Sequence, residues 1–146
     1  MHAIRRADEQ SAETVARLLR SVMRTSPPFL PRLHTPDEDL WFVRNVVFPQ
    51  CEVWVAGTGN IDGFIAFRDG WIDQLYVRRE CQRRGVGRAL LGQAMKTHLS
   101  LWLWTFQQNT AAISFYRAQG FREIGRTDGR RNEEREPDIL FEWERG

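Results

Sequence analysis

Cysteine is almost missing from this 146-residue chain: Cys51 and Cys81 are the only two, and three scattered histidines accompany them. That is too little for a disulfide framework, and it offers no metal-ligand spacing, so reduced thiols and no metal are expected. Lysine is rarer still, because Lys96 stands alone and the rest of the 21 basic residues are arginine. A formal net charge of +2 argues against a general nucleic-acid binder, and the arginines inform only where they cluster. No run approaches the ~20 apolar residues of a membrane span. The opening Met1-His2-Ala3-Ile4-Arg5-Arg6 has neither the apolar stretch nor the small-residue cleavage site of an export signal. A soluble, cytoplasmic protein without a membrane partner is therefore expected. Its length is that of a single domain, residues 1–146, able to bury roughly two thirds of its unfolded surface.

What is present alternates in period. His2 to Ala7 reads as a short strand, followed by Val15, Leu18, Leu19, Val22 and Met23 at the spacing of an amphipathic helix. Ser26-Pro27-Pro28 ends it, and Thr35-Pro36-Asp37-Glu38 supplies an N-cap, a first-turn proline and a capping-box glutamate for a second helix that Pro49 closes. Glu52 to Ala56, Ile61 to Phe67 and Trp71 to Val77 then read as an antiparallel meander, parted by glycine-rich turns. Helical spacing returns from Val86 to His98, and Leu101 to Phe106 reads as a strand buried on both faces, which makes a right-handed parallel crossover. Asn109 caps a further helix that Gly120 ends. Two closing strands, Phe121 to Arg126 and Ile139 to Trp143, flank a charged loop, Thr127 to Glu136, with the composition of a mobile segment.

The chemistry gathers in one segment, Leu75 to Leu91: a strand, a turn holding Arg78, Arg79, Arg83 and Arg84, two glycines at 85 and 87, then a helix beginning near Arg88. Such a turn cradles phosphate. Glycine lets the backbone approach, the first helical N–H groups lack intrahelical partners, and the helix dipole favours an anion. A dinucleotide fingerprint would need glycine where Leu90 stands, and a P-loop would need a Gly-Lys-Ser/Thr sequence that is absent, so neither NAD nor ATP is supported. Taken alone, the same residues would also serve as a plain turn with a solvated basic face.

Gln82-Arg83-Arg84-Gly85-Val86-Gly87 resembles the signature of the GNAT superfamily of acetyl-CoA-dependent N-acetyltransferases, Gln/Arg, two residues, Gly, one residue, Gly/Ala. Asn109, Ala112 and Phe115-Tyr116-Arg117-Ala118-Gln119-Gly120-Phe121 follow in the order of the family's second element. The resemblance covers essentially the whole chain and implies an α/β (α+β) fold: a mostly antiparallel sheet of six to seven strands, one parallel β-α-β crossover and four helices on its faces. It implies acetyl-CoA as acyl donor. Main-chain groups of Leu75, Tyr76 and Val77 would pair with the pantetheine arm, and the segment Gln82, Arg83, Arg84, Gly85, Val86, Gly87 and Arg88 would hold the pyrophosphate. The Leu75 amide would be the oxyanion donor.

Asn109 would contact the cofactor's arm, serve as a helix N-cap, or do both. Tyr116 would be the general acid, the alternative being one more core aromatic; a tyrosine of pKa ~10 is protonated at pH 7 and suits a thiol leaving group of pKa ~8.5. Asp73 is the candidate base, placed by period-two alternation on the face of Leu75 and Val77 and needing burial or a bridging water to act; a surface aspartate is the other reading. Glu38 and Asp39 are weaker candidates, better explained as helix caps. Neither cysteine has a nearby histidine, so direct attack by an amine is expected rather than an acyl-enzyme. The acceptor is a primary amine of a small molecule or peptide. Trp41, Phe42 and Phe48 either line its pocket or belong to the core, and Glu133 and Glu134 in the late loop are possible contacts. A non-catalytic acetyl-CoA sensor is the alternative function. Apolar strand edges near the C-terminus are compatible with a homodimer.

Overall fold

The computed structural model describes residues 3–25 and 33–146. The predicted start of the first strand at His2 and the break at Ser26-Pro27-Pro28 lie outside them. Seven strands form one sheet: β1 (Ile4–Arg6), β2 (Glu52–Ala56), β3 (Gly63–Arg68), β4 (Trp71–Val77), β5 (Ser100–Phe106), β6 (Arg122–Thr127) and β7 (Asp138–Glu144). Their order across the sheet is β1-β2-β3-β4-β5-β7-β6, and every pairing is antiparallel except β4 with β5. The helices are α1 (Ala12–Thr25), α2 (Pro36–Phe42), α3 (Phe48–Gln50), α4 (Val86–Thr97) and α5 (Thr110–Ala118). A π turn, Val43–Val47, joins α2 and α3 into one rod, so four rods flank the sheet as expected. Among the described residues no helix is long and apolar enough to cross a membrane.

The capping box at α2 is complete. Thr35 Oγ1 accepts from the Glu38 N–H at 3.2 Å, and Glu38 Oε1 accepts from the Thr35 N–H at 2.9 Å. Pro49 does not end this helix, as the sequence suggested; it lies in the last turn. Proline has no N–H and its ring crowds the carbonyl four residues back. The widened turn just before it, in which the Phe48 N–H reaches back to Val43 O, accommodates the ring and lets the helix run on to Gln50.

Each face of the sheet carries its own core. On one, α1 and the α2–α3 rod pack over β2 to β4 through Val15, Leu19, Val22, Val43, Val47, Val53, Val55 and Phe64. On the other, α4 and α5 pack through Leu90, Leu91 and Tyr116 onto strands from both halves of the sheet, including Ile65, Leu101, Leu103, Ile139 and Phe141. β5 is therefore not buried on both faces. Leu101, Leu103 and Thr105 point into the α4 side, whereas Trp102 is half-buried and Trp104 is exposed, because α1 and α2 stop short of this strand.

Candidate active site

The parallel pair β4 and β5 diverges. Register holds only at Trp71 with Trp102, so the C-terminal halves of the two strands are parted by an opening instead of a ladder. The direction of the β4 amides at this opening follows from its other neighbour. The Arg78 N–H donates to Asp62 O at 2.7 Å on the β3 side, and alternate residues of an antiparallel pair face the same partner. Tyr76, opposite Phe64, therefore bonds to β3, while Leu75 and Val77 turn their N–H and C=O groups toward the gap. Val77 O is met there by Gln82 Nε2 at 3.0 Å. This is a sheet edge inside the molecule, of the kind to which an extended chain adds as a strand.

Beyond β4 the backbone turns sharply before entering α4. Arg83 is left-handed at φ +64° and Gly85 at φ +85°, a kind of turn that gathers successive N–H groups inward. A non-glycine residue there costs roughly 1–2 kcal/mol, which the surrounding structure must offset. The first helical bond of α4 runs from the Ala89 N–H to Gly85 O at 3.0 Å, so the N–H groups of Val86, Gly87 and Arg88 have no helical acceptor. Arg83, Arg84 and Arg88 are all exposed around this end. Gly87 has a packing role as well: a Cβ there would stand 3.2 Å from the Phe115 ring and 3.7 Å from Val77 Cγ2, so glycine lets α4 sit against α5. The donor set is one that a diphosphate fits.

Tyr116 on α5 has its ring buried, 8% exposed, against Phe115, Phe121 and Phe141 at centroid distances of 5.2, 5.4 and 6.3 Å. Its hydroxyl makes no hydrogen bond among the described residues and is not sealed from solvent. Burial pushes this phenol well above its usual pKa, with the neighbouring Tyr76 adding to the shift. Tyr76 stacks on Phe64 at 5.9 Å, and its own phenol is pushed up to about 12, first by burial and then by the Glu134 carboxylate. Sequence reasoning named Tyr76 only for its backbone; the structure adds a phenol on the α1 side of the sheet, close enough to raise the Tyr116 pKa electrostatically. Asn109 caps α5, its Oδ1 accepting from the Ala112 N–H at 3.1 Å, and its amide nitrogen has no partner among the described residues.

Asp73 is displaced from its expected face. Between Ala66 and Phe67 the β4 partner jumps from Gln74 to Ile72, leaving Asp73 as the extra residue of a bulge. Leu75 and Val77 pack with the α4 core, but Asp73 Oδ2 accepts from Arg68 Nε at 2.7 Å and from Cys51 Sγ at 3.5 Å on the opposite side. It lines an open hollow of about 300 Å³ with Phe42, Val46, Gln50 and Cys51. The burial asked of it is not there, since the residue is exposed. Of the three aromatics suggested as a pocket, Phe42 lines this hollow, Phe48 packs on the α1 core and Trp41 projects outward, 61% exposed. Burial, followed by Asp73, pushes the Cys51 thiol up to about 12, and burial raises Cys81 too, so both stay protonated and poorly nucleophilic at neutral pH.

The late loop, read as mobile, is braced. Asp138 accepts from Thr127 Oγ1 and, at 3.2 Å, from Asn132 Nδ2, while Gln107 Nε2 ties the carbonyls of Thr127 and Asp138 at 3.1 and 3.2 Å. Gly129 is buried at φ +84°, where a Cβ would strike the Glu136 carbonyl carbon at 2.4 Å. From this frame Glu133 reaches across to pair with His34 beside α2, raising the imidazole pKa. Glu38 belongs to the capping box and Asp39 pairs with Arg20, which leaves both in structural roles.

The family model for the acetyltransferase (GNAT) domain matches residues 49–123, just over half the chain and all of the region from β2 to α5. The peptidyl-lysine N-acetyltransferase YjaB of Escherichia coli (strain K12) is 32% identical over 129 residues, 86% of each chain. The solution structure of apo-form YjaB from Escherichia coli has a TM-score of 0.74 at 25% identity, covering 98% of this chain and 97% of that one. The peptidyl-lysine N-acetyltransferase YiaC of Escherichia coli (strain K12) is 33% identical over 84 residues, so the match spans 56% of this chain and only 58% of that relative. The structure of yncA from Salmonella typhimurium with its cofactor acetyl-CoA shares the fold, with a TM-score of 0.72 at 18% identity over 99% of this chain and 94% of that one. The parted strands, the left-handed turn at the head of α4 and the family match through both place the chain in one group: it belongs to the GNAT family of acetyltransferase enzymes.

Proposed function

We propose that this chain transfers the acetyl group of acetyl-CoA to the ε-amino group of a protein lysine by direct attack. The observation that carries the reading is the opening between β4 and β5, faced by the Leu75 and Val77 amides and ending at the α4 cradle. The pantetheine arm fits that edge as a strand, and the diphosphate fits the amides from Arg83 to Arg88. Acetyl-CoA supplies a thioester carbonyl, on which negative charge develops as the amine attacks. The Leu75 N–H is the donor to that oxygen. Tyr116, neutral and with its hydroxyl free, donates a proton to the departing sulfur and is reprotonated by the proton that the attacking nitrogen sheds as the amide forms. The acceptor ammonium must first lose a proton, at about 4 to 5 kcal/mol at pH 7 for a pKa of ~10.4. Asp73 opens on the acceptor side of β4 and takes it through water, because Arg68 occupies the carboxylate directly. Lysine in a protein as acceptor is favoured by the similarity to YjaB and YiaC, both peptidyl-lysine N-acetyltransferases.

Calorimetry with acetyl-CoA, followed by release of free thiol in the presence of lysine peptides, tests this. Arg83→Glu with Arg88→Glu reverses two exposed charges at the cradle and is expected to weaken binding at least tenfold with an unchanged melting temperature. Folded wild-type protein that binds no acetyl-CoA would refute the reading, and binding without thiol release to any amine would make the chain a sensor of the same ligand.

A further inference from the structure

The face of β5 left open by α1 and α2 is aromatic. Trp104 is 47% exposed and Trp71 36%, and the Trp71 and Trp102 rings lie 6.0 Å apart. The Trp102 indole N–H donates to Glu142 at 2.9 Å, which fixes that ring on the sheet. An open trough of about 510 Å³ runs here, lined by Arg68, Asp69, Trp71, Asp73 and Trp104. Large exposed indoles grouped on one face mark a contact surface more often than a solvated one. Arg68 is bonded to Asp73, so that pair is neutral; Asp69 has no ion pair among the described residues. The lining therefore carries one net negative charge on a chain whose formal charge is +2.

We propose that this trough docks a basic side chain of the acceptor protein, an arginine or lysine flanking the lysine that is acetylated. The indole faces offer their negative π surface to a guanidinium or ammonium group, and Asp69 supplies the formal charge. The inference rests on the acetyl-transfer reading for the place of the reacting lysine. The trough lies on the side of the sheet opposite α4, away from the pyrophosphate cradle, and that is the side left for an acceptor. Trp71 precedes Leu75 by four residues, about 13 Å along a strand at ~3.3 Å per residue. An extended acceptor has the same rise, so the docked cation stands about four residues from the modified lysine.

Kinetics on two peptides decide it, identical except for arginine or glutamate four residues from a single lysine, with N-acetyl-lysine amide as the minimal substrate. The wild type is expected to show a KM roughly fivefold lower for the arginine peptide, the size of effect one cation over an indole gives. Trp104→Ala removes that difference and Asp69→Lys inverts it, while kcat and the KM for the minimal substrate stay as they were. Equal KM values for the two peptides, an equal rise for the minimal substrate in Trp104→Ala, or a wild-type dimer that this variant dissociates would overturn the proposal. A fluorescein-labelled, lysine-free peptide with two arginines, titrated by polarisation against wild type and Trp104→Ala, reads the trough without catalysis. An inactive wild type that still binds it in a Trp104-dependent way would sink the acetyl-transfer reading and leave the docking surface standing; absence of binding would sink the docking surface.

Discussion

The chain has two tyrosines, and burial raises the pKa of both. Tyr116 is held by three aromatic rings, so its position depends on the ring and not on the hydroxyl, which no protein group bonds among the described residues. Tyr116→Phe is thus expected to leave the thermal midpoint where it is and to lower kcat by about 10²- to 10⁴-fold, the usual contribution of a positioned proton donor. The pH dependence follows from the direction of the shift. A phenol whose pKa is raised keeps its donor form beyond pH 10, through the range in which the acceptor amine of pKa ~10.4 loses its proton. Wild-type kcat/KM for a lysine peptide should therefore rise from pH 7 toward pH 10 with no falling limb from Tyr116. A profile that falls between pH 8 and 9.5 in folded protein would remove this tyrosine from the acid's role.

At the scale of elements, the helix starts were legible and the irregularities were not. Thr35 and Glu38 are separated by the spacing that a capping box needs, and both bonds form. Thr35→Ala is expected to cost about 1 kcal/mol, or ~2–4 °C in the midpoint for a chain of this length, measurable by thermal denaturation. An unchanged midpoint would mean that packing of α2 on α1 holds the helix start without its cap. The π turn before Pro49 escaped notice because the sequence shows that proline must be accommodated but not which turn widens. Asp73 was assigned to the wrong face for a related reason: counting by twos assumes an unbroken ladder, and the extra residue of a bulge is defined only by the partner strand β3. The cradle needed no such knowledge, since glycine at 85 and 87 beside a helix start is local chemistry. Trp102 and Trp104 sat in an apolar run that read as buried twice over, but their exposure is set by how far α1 and α2 reach across the sheet, which is tertiary information.

At the scale of the whole molecule, the described residues form two half-sheets joined at β4 and β5 by a single register pair and bridged on one side by the core under α4 and α5. Among the described residues, the other side has α1 and the α2–α3 rod over β2 to β4 and nothing comparable over β5. The His34–Glu133 pair adds a surface clasp between the halves, and exposed ion pairs contribute little. A ligand seated in the opening would add hydrogen bonds to the inner edge of β4 and contacts to both halves together. Linkage gives the size of its effect: at 100 times Kd a ligand that binds only the folded state contributes about 2.7 kcal/mol, which at this chain length is roughly 5–10 °C in midpoint. Saturating coenzyme A, which lacks the acetyl group and so cannot turn over, should produce that shift. Amide exchange locates it: protection is expected to rise at Leu75, Val77 and the first turn of α4, whose N–H groups have no backbone partner among the described residues, and to change little in β1 and β2. A midpoint shift with uniform protection would place the ligand elsewhere, because only a chain lying between the parted strands protects those amides selectively.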